Sequence, residues 1–259
     1  MKELTSVKNP CVQAARELNT AHGRAEQNAF LLDGEHMVGE ALARCPQKVR
    51  SLFVDRTKAE GYAALLQCLP SSAMVYAVPA HVLEAIAQVK TPQGVAAVCE
   101  KPEPAPLDAL GKRLLLLENV QDPGNVGTML RTLDAAGFDG CILTNGCAEP
   151  YAPKALRATM GSVFRVPLCF ASGAAEAAAS LRERGYAVVG AALGGIPFYE
   201  RTALPAHVCV MIGNEGAGLT AEALAACTHS YELPMRGGAE SLNAAIAAAV
   251  FMYEIVNRG

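Results

Sequence analysis

The stretch DPGNVGTMLRTLDAAG, Asp122–Gly137, decides the fold of this chain, because it follows an apolar run and opens a helical pattern. Two later stretches have the same form: GNEGAGL, which begins at Gly213, and LPMRGGAESLNAAIA, which begins at Leu233. In each, a buried strand is predicted to end in a polar, glycine-containing loop that enters a helix. Loops at the ends of parallel strands meet at one edge of an open sheet, where α/β proteins bind ligands. We therefore expect the functional site at that edge.

Strands and helices are predicted to alternate around these stretches. Leu114–Leu117 is a continuous apolar run, which is typical of a strand covered on both faces. Ser241 is the expected N-cap of the last helix, because a serine hydroxyl can accept a hydrogen bond from a free amide of the first turn. Further strands are predicted at 141–143, 163–168, 187–193 and 208–212, and helices at 125–136, 153–160, 174–184 and 241–256.

The first hundred residues form a separate α/β pattern. Three prolines in alternate positions between Glu100 and Pro106 predict an extended linker after it. The chain is therefore divided into a first domain at 1–100, a linker at 101–111 and a second domain at 112–259. In the first domain, strands are predicted at 29–33, 49–54, 74–78 and 95–99, and helices at 9–18, 36–44, 61–68 and 80–88.

Composition narrows the class of protein. Half of the 259 residues are hydrophobic, yet no apolar run reaches the roughly 20 residues that span a bilayer, so no membrane association is expected. Nine cysteines without a Cys-x-x-Cys pair favour reduced thiols in a cytoplasmic protein and predict no metal site. A formal net charge of −3 argues against a protein that coats nucleic acid non-specifically.

The loop at Asp122 can hold an anion with the free amides of the helix that follows. It lacks the Gly-Lys-Ser/Thr of a nucleoside triphosphate loop and the G-x-G-x-x-G of a dinucleotide site, so an NTPase or an oxidoreductase is disfavoured. A tight turn with a helix cap at Asp122 or Asn125 remains an equal alternative. Arg131, six residues after Asn125, favours a functional role, because it can neutralise phosphate or developing negative charge.

Glu215 stands among three glycines directly after a predicted buried strand. A carboxylate in that position is costly unless it has a partner, which indicates a functional group. The alternative is a loop glutamate that caps a helix beginning near Thr220. Asn243, by comparison, is not explained by helix capping if Ser241 is the N-cap.

These three stretches, in this order and spacing, resemble the motifs of the SpoU family, the TrmH-type ribose 2′-O-methyltransferases of the SPOUT superfamily. The resemblance extends from Leu114 to Val256. The first domain resembles the small RNA-binding domain of many members, which is similar to a kink-turn-binding ribosomal protein. The residues that carry this second resemblance are Lys8–Pro10, Phe30–Glu35, with Asp33 where the family usually has glutamate, and Thr91–Val95.

The resemblance implies an α/β fold: a trefoil-knotted, parallel-sheet methyltransferase domain behind a small α/β RNA-binding domain, assembled as a homodimer. It also implies S-adenosylmethionine as cofactor. By motif position, the cofactor-binding residues are Leu193, Gly194, Ile212, Gly213, Gly216, Leu233, Met235 and Leu242. The implied catalytic residues are Arg131, which acts on the ribose 2′-hydroxyl, and Glu215, Ser241, Asn243 and Asn125, which position the reacting groups.

The expected function is methylation of a ribose 2′-hydroxyl in large-subunit (23S) ribosomal RNA, since members that act on transfer RNA often lack the first domain. Two alternatives are a transfer RNA 2′-O-methyltransferase and a catalytically silent RNA-binding or ribosome-assembly factor. Met1–Lys101 holds eleven Lys/Arg and ten Asp/Glu, so RNA affinity must come from a few placed cations. The candidates are Lys8, Arg16, Arg24, Lys154, Arg157 and Arg165.

Overall fold

A computed structural model describes residues 1–88 and 91–258, so that Val89, Lys90 and Gly259 of the two predicted domains lie outside it. The chain divides into two units. The first contains Met1–Glu103 together with Tyr151–Phe164, and the second contains Pro104–Pro150 and the residues from Arg165 onward. The segment 151–164 thus packs with the first unit, although the sequence places it in the second predicted domain.

The elements of both units follow in chain order. The strands are β1 (Lys2–Glu3), β2 (Ala29–Asp33), β3 (Val49–Asp55), β4 (Met74–Val78), β5 (Val95–Glu100), β6 (Arg113–Leu117), β7 (Gly140–Thr144), β8 (Leu168–Ala171), β9 (Ala187–Pro197), β10 (Val208–Ile212) and β11 (His229–Glu232). The helices are α1 (Pro10–Glu17), α2 (Ala21–Glu26), α3 (Glu35–Arg44), α4 (Ala63–Gln67), α5 (Ala80–Ala87), α6 (Pro123–Ala136), α7 (Pro153–Thr159), α8 (Ala174–Glu183), α9 (Ala221–Ala226) and α10 (Ala244–Arg258).

The first unit is built on a mixed sheet in the order β1-β4-β3-β5-β2. β4 pairs in parallel with β1 and β3, whereas β5 pairs antiparallel with β2 and β3. Phe30 of β2 is fully buried, and its ring stacks on Tyr151 with a centroid distance of 4.9 Å. Phe164 approaches the same ring at 6.2 Å. The segment 151–164, which returns to the first unit, therefore contributes aromatic side chains to the core of this unit.

The second unit contains a sheet in the order β11-β9-β10-β6-β7-β8, and every adjacent pair in it is parallel. Leu114–Leu117 of β6 is buried, as a strand covered on both faces requires. The strand order reverses between β6 and β10, because the chain continues to β7 and β8 on one side and places β9 and β11 on the other. Such a switch point opens a crevice at the carboxyl ends of the strands. The predicted α/β fold with a parallel sheet is confirmed.

A large irregularity interrupts the pairing of β9 with β11. Gly190 pairs with Ser230, but the next residue of β11, Tyr231, pairs with Ile196. Residues 191–195 of β9 therefore have no opposite residues in β11 and form what we call the β9 bulge. Its side chains include Leu193, which is 71% exposed. The sequence predicts that this strand ends at Leu193, because the glycines that follow interrupt the apolar run.

Several predicted elements are corrected by the structure. Residues 163–168 are not a strand: a single 3₁₀ turn occupies Ser162–Phe164, and β8 begins only at Leu168, which pairs with Cys141. Phe164 is instead held against Phe30 in the first unit. The elements β1, α2 and β11 have no predicted counterpart, since they are short and polar. The last helix begins at Ala244 rather than Ser241.

Candidate functional site

A cavity of about 360 Å³ lies at the carboxyl ends of β10 and β11, beside the β9 bulge. Cavities that hold small molecules commonly measure roughly 300–1,000 Å³. Its walls come from the β9 bulge, the loop that begins at Gly213, the segment after β11 and the first turns of α10. Tyr231 and Phe251 line it, and Phe251 packs on the buried ring of Phe198 with centroids 4.2 Å apart. The apolar wall therefore rests on the core of the unit.

Seven of the eight residues that the resemblance assigns to the cofactor line this cavity. They are Leu193, Ile212, Gly213, Gly216, Leu233, Met235 and Leu242. Gly194 is the exception, because it does not line the cavity. Its backbone N–H donates to Oε2 of Glu232 at 2.8 Å. The predicted cofactor residues thus converge on one site, and Gly194 acts within the β9 bulge that borders it.

The loop that begins at Gly213 folds back on itself. Asn214 and Gly218 exchange two backbone hydrogen bonds, and Gly218 has a φ of 71°, a left-handed conformation that favours glycine. A Cβ on Gly213 would lie 2.2 Å from the carbonyl carbon of Gly218. At Gly216 a Cβ would meet no atom closer than Asn214 Oδ1, at 3.7 Å. The loop therefore needs Gly213 for its own closure, whereas Gly216 leaves open space in the wall of the cavity.

Glu215 joins this loop to the loop after β6. Its Oε2 accepts a hydrogen bond from the backbone N–H of Gln121 at 3.1 Å, and its Oε1 accepts one from Asp122 N–H at 3.0 Å. The side-chain amide of Asn125 donates to the same Oε1 at 3.0 Å. Partial burial raises the pKa of Glu215, but these hydrogen bonds outweigh it, so the pKa lies below its usual value. Glu215 does not cap α9, because Thr220 Oγ1 accepts from Ala223 N–H there.

Asn243 continues the hydrogen-bonded chain from Glu215. Its Nδ2 donates to Asn125 Oδ1 at 3.0 Å, and its Oδ1 accepts from Ala245 N–H at 2.9 Å. Asn243 is therefore the N-cap of α10, and the prediction of Ser241 as N-cap was wrong. The N-cap lies two residues later than predicted, because the amide of Asn243 satisfies the first turn of the helix and also reaches Asn125. Asp122 caps α6 in the same way through its Oδ1, which accepts from Gly124 and Asn125 N–H.

The remaining two predicted catalytic residues are placed differently. Ser241 lines the cavity together with Glu215. Arg131 lies on an exposed face of α6. Among residues 1–88 and 91–258 its side chain makes no hydrogen bond or ion pair, and it does not line the cavity. The structure thus joins Glu215, Asn125 and Asn243 directly, brings Ser241 to the same cavity and leaves Arg131 open to solvent.

Two further residues, Asn214 and Glu118, hold the loops of the site together, and the sequence did not single them out. Asn214 Nδ2 donates to the carbonyl of Asn119 at 2.9 Å, while its Oδ1 accepts from the N–H groups of Gly216 and Ala217. Glu118 accepts from the N–H and the hydroxyl of Thr220, both at 2.8 Å. Glu118 directly follows the buried strand β6, and Asn214 lies two residues after the end of the buried strand β10. That position is the signal that could have identified them.

The cations that the sequence offers for RNA contact do not all face solvent. Arg24 is 4% exposed and donates to the carbonyl of Leu18 at 2.9 Å, so its selection as an RNA contact was wrong. Arg165 forms an ion pair with Asp134 at 2.8 Å. Lys8, Arg16, Lys154 and Arg157 are exposed. None of the helices in the described residues combines the length and the hydropathy of a membrane-spanning segment.

Comparison with known families assigns both parts of the sequence. The model described as the SpoU rRNA Methylase family matches residues 112–253, which is more than half of the chain. The model described as the MRM3-like substrate binding domain matches residues 9–97.

Similar proteins cover almost the whole chain. The 23S rRNA (guanosine(2553)-2′-O)-methyltransferase RlmP of Bacillus subtilis is 36% identical over 98% of this chain and 99% of its own length. The AdoMet-bound rRNA methyltransferase of Sinorhizobium meliloti is 32% identical, with a TM-score of 0.86 over 99% of this chain and 97% of that one. The SpoU methyltransferase AviRb of Streptomyces viridochromogenes, in complex with AdoMet, is 28% identical, with a TM-score of 0.86 over 97% and 98%.

These matches agree with the predictions from the three glycine-containing stretches. The expected methyltransferase class and the expected α/β architecture are confirmed, since the family model and the solved structures share them. The chain belongs to the SpoU rRNA methylase family.

Proposed function

We propose that this protein transfers a methyl group from S-adenosylmethionine to a ribose 2′-hydroxyl in large-subunit ribosomal RNA. The observation that carries the proposal is the cavity at the sheet edge with the Glu215–Asn125–Asn243 hydrogen bonds beside it. The name of the Bacillus subtilis relative supports the reaction and the RNA class, and the bound ligand of the Sinorhizobium meliloti structure supports the cofactor.

The residues present fit S-adenosylmethionine. Leu193, Leu233 and Leu242 offer apolar surface to an adenine ring, and the Gly213 loop offers backbone groups to its polar edges. Gly216 fits close approach of a ligand, because the loop itself leaves the space of a Cβ there unused. When bound, the cofactor would supply an electrophilic methyl group: the ribose oxygen forms the new C–O bond, the electron pair of the broken S–C bond stays on sulfur, and the hydroxyl proton passes to solvent water.

Arg131 is the residue to which we assign the developing negative charge on the ribose oxygen. A guanidinium is always protonated, so it does not act as a base in the literal sense. It binds the phosphate next to the target nucleotide and stabilises the alkoxide as the proton leaves. Its lack of an internal partner among the described residues suits a group that pairs with RNA.

Glu215, Asn125, Asn243 and Ser241 are assigned positioning roles. The carboxylate of Glu215 holds two backbone amides of the loop before α6, and the two asparagine amides tie that loop to the start of α10. Arg131 is on α6, so these contacts fix the helix that carries it. Ser241 lines the cavity and orients the ribose or the methionine end of the cofactor.

We also propose a homodimer, a trefoil knot in the second unit and a cytoplasmic location. Exposed apolar side chains on α10 support the dimer: Ile246 is 51% exposed and Tyr253 is 45% exposed. Sedimentation equilibrium at micromolar concentration tests it, and Ile246→Asp is expected to shift the protein toward monomer. The first unit supplies RNA affinity, in line with the substrate binding domain that matches 9–97. The proposed domain limits remain 1–100, 101–111 and 112–259.

Labelled S-adenosylmethionine and total RNA from a strain that lacks this protein test the function. The products are separated by size and digested with alkali, because a 2′-O-methyl group protects the adjacent phosphodiester bond. Labelled, alkali-resistant dinucleotides in the large-subunit RNA are the expected result. Label in transfer RNA would favour the first alternative. Cofactor binding without label in RNA or in ribosomal precursors, or no cofactor binding, would favour the silent RNA-binding factor.

A further inference from the structure

Glu232 occupies an unusual position in the wall of the cavity. It is the last residue of β11, it is half-buried, and it lines the cavity. Its Oε2 accepts a hydrogen bond from Gly194 N–H at 2.8 Å, and so fastens the β9 bulge to β11. Gly194 has a φ of 76°, so the bulge turns through a left-handed residue at the point where Glu232 holds it.

The charged side chains that line the cavity are all negative. Among the described lining residues, Glu215 and Glu232 carry charge, and lysine, arginine and histidine are absent. The two carboxylates differ in their hydrogen bonds. Both oxygens of Glu215 accept from N–H groups of the neighbouring loop. At Glu232 the bond from Gly194 is the single one within the described residues, so its Oε1 is left without a donor.

We infer that Glu232 is a specificity-determining residue that favours the cationic methyl donor over the neutral-sulfur product. This inference rests on the proposed function. S-Adenosylmethionine carries a sulfonium charge, which S-adenosylhomocysteine loses when the methyl group leaves. A negative charge in the cavity wall attracts the positive sulfur of S-adenosylmethionine. It has no such attraction for the neutral sulfur of S-adenosylhomocysteine. Because Glu232 lines the cavity, a sulfonium bound there would lie within roughly 10 Å of its charge, and in a partly solvated site Coulomb's law then gives a preference of about threefold to tenfold.

The charge can be separated from the hydrogen bond by two substitutions. Glu232→Gln keeps a side-chain oxygen that can accept from Gly194 N–H, but removes the charge. Glu232→Asp keeps the charge on a shorter side chain that reaches Gly194 less well. Glu222→Gln is a matched control, because Glu222 is an exposed carboxylate on α9 that does not line the cavity.

Isothermal titration calorimetry of the full chain with S-adenosylmethionine, S-adenosylhomocysteine and sinefungin measures the preference. Sinefungin carries an ammonium group in place of the methylsulfonium. We expect E232Q to lower the ratio of the Kd for S-adenosylhomocysteine to the Kd for S-adenosylmethionine by about threefold to tenfold. Sinefungin should follow S-adenosylmethionine. E232D should weaken all three ligands with a wild-type ratio, and E222Q should change none.

An unchanged ratio in E232Q, or an equal loss of affinity for all three ligands, would overturn the inference and leave Glu232 as a residue that only holds the bulge. Wild-type protein that binds none of the three ligands would overturn the proposed function itself, and the inference with it. The two failures are therefore distinguished by the wild-type titration.

Discussion

Arg131 contributes no visible contact to folding, since its exposed side chain makes no hydrogen bond or ion pair among the described residues. Arg131→Lys keeps the charge and loses the planar fork that binds phosphate in two places. We expect turnover to fall by about 10- to 100-fold, which is less than the roughly 100- to 1,000-fold that follows the loss of a whole oxyanion donor, because lysine keeps the charge. The free energy of unfolding, measured by thermal denaturation, should stay within about 0.5 kcal/mol of wild type, because the change is at the surface.

The control for this prediction is Arg184→Lys, at an exposed arginine after α8 that does not line the cavity. It should leave both turnover and stability unchanged. Near-wild-type turnover of R131K would mean that the geometry of the guanidinium is irrelevant, and the assigned role of Arg131 would then be wrong.

Replacing Gly213 with alanine should lower stability, whereas replacing Gly216 in the same loop with alanine should lower cofactor affinity. At Gly213 the new Cβ would lie 2.2 Å from the backbone of Gly218, so the loop must open, at a cost of about 3 kcal/mol. At Gly216 the nearest atom is 3.7 Å away, and stability should change by less than about 1 kcal/mol. Gly216→Ala should instead weaken S-adenosylmethionine binding by tenfold or more.

Urea unfolding and calorimetric titration of both variants check this pair. Normal cofactor affinity in G216A would show that the ligand does not approach this side of the loop. Gly237→Ala offers a comparison, since a Cβ there meets nothing within 4 Å and Gly237 does not line the cavity.

Glu215 gives the site a predictable response to acid. Its folded-state pKa is lowered, so its contribution to stability is present above the unfolded value of about 4.3 and is lost as pH falls through the folded value. Glu215→Gln removes the charge and replaces one acceptor oxygen with an NH₂ group. That group cannot accept the hydrogen bonds that Gln121, Asp122 and Asn125 donate. We expect a loss of about 1 kcal/mol at pH 7, after allowance for solvent screening.

The difference between wild type and E215Q should shrink as the pH falls below about 4, since protonation then removes the same charge from the wild type. Urea unfolding between pH 3 and pH 7 measures it. A constant difference across this range would mean that the ionised carboxylate does not hold the loop.

At the scale of elements, the start of α10 is the most informative case. Asn243→Ala removes the N-cap of this helix and its link to Asn125, which should cost about 1 kcal/mol and reduce activity. Asn243→Asp keeps an oxygen for Ala245 N–H but loses the donor to Asn125. It should recover stability without recovering activity.

Ser241→Ala is the comparison that decides between the two possible caps. Because α10 begins at Ala244, this change should leave the free energy of unfolding within about 0.5 kcal/mol of wild type. Circular dichroism during thermal unfolding measures all three variants. A loss in S241A equal to that in N243A would place the cap at Ser241 after all.

Elements with strong periodicity could be predicted from sequence, and those fixed by tertiary contacts could not. β2, β4 and β10 have the predicted limits, because each is an apolar run closed by polar or turn residues. The start of α10 was misplaced because serine and asparagine are equally good caps, and only the contact with Asn125 selects Asn243. The β9 bulge depends on Glu232, 38 residues from Gly194, and no local pattern reports such a bond.

The same distinction applies to the site. Three glycine-containing stretches predicted one ligand site at the sheet edge, and seven of the eight assigned cofactor residues line one cavity. Arg131 could be selected for its chemistry, but the sequence does not show what it contacts. Glu118 and Asn214, which join the loops after β6 and β10, depend on the order of the parallel strands rather than on spacing along the chain.

At the scale of the whole molecule, the limits of the sequence families differ from those of the physical units. Residues 151–164 lie inside the methylase match at 112–253, yet they pack with the first unit. The chain therefore crosses between the units near residues 103, 150 and 164. A composition shift could reveal only the first of these crossings, because the other two lie in segments with an ordinary α/β pattern.

This arrangement predicts that the first unit depends on the returning segment for its stability. Tyr151 is 6% exposed and stacks on the fully buried Phe30, so Tyr151→Ala should cost about 3 kcal/mol. Hydrogen exchange of the full-length protein should become faster in β2, whereas Tyr151→Phe, which keeps the ring, should retain most of the protection. Unchanged protection of β2 in Y151A would mean that residues 1–103 keep their core without residues 151–164. The limits of the family matches, 9–97 and 112–253, would then describe the folding units better than the contacts of Phe30 do.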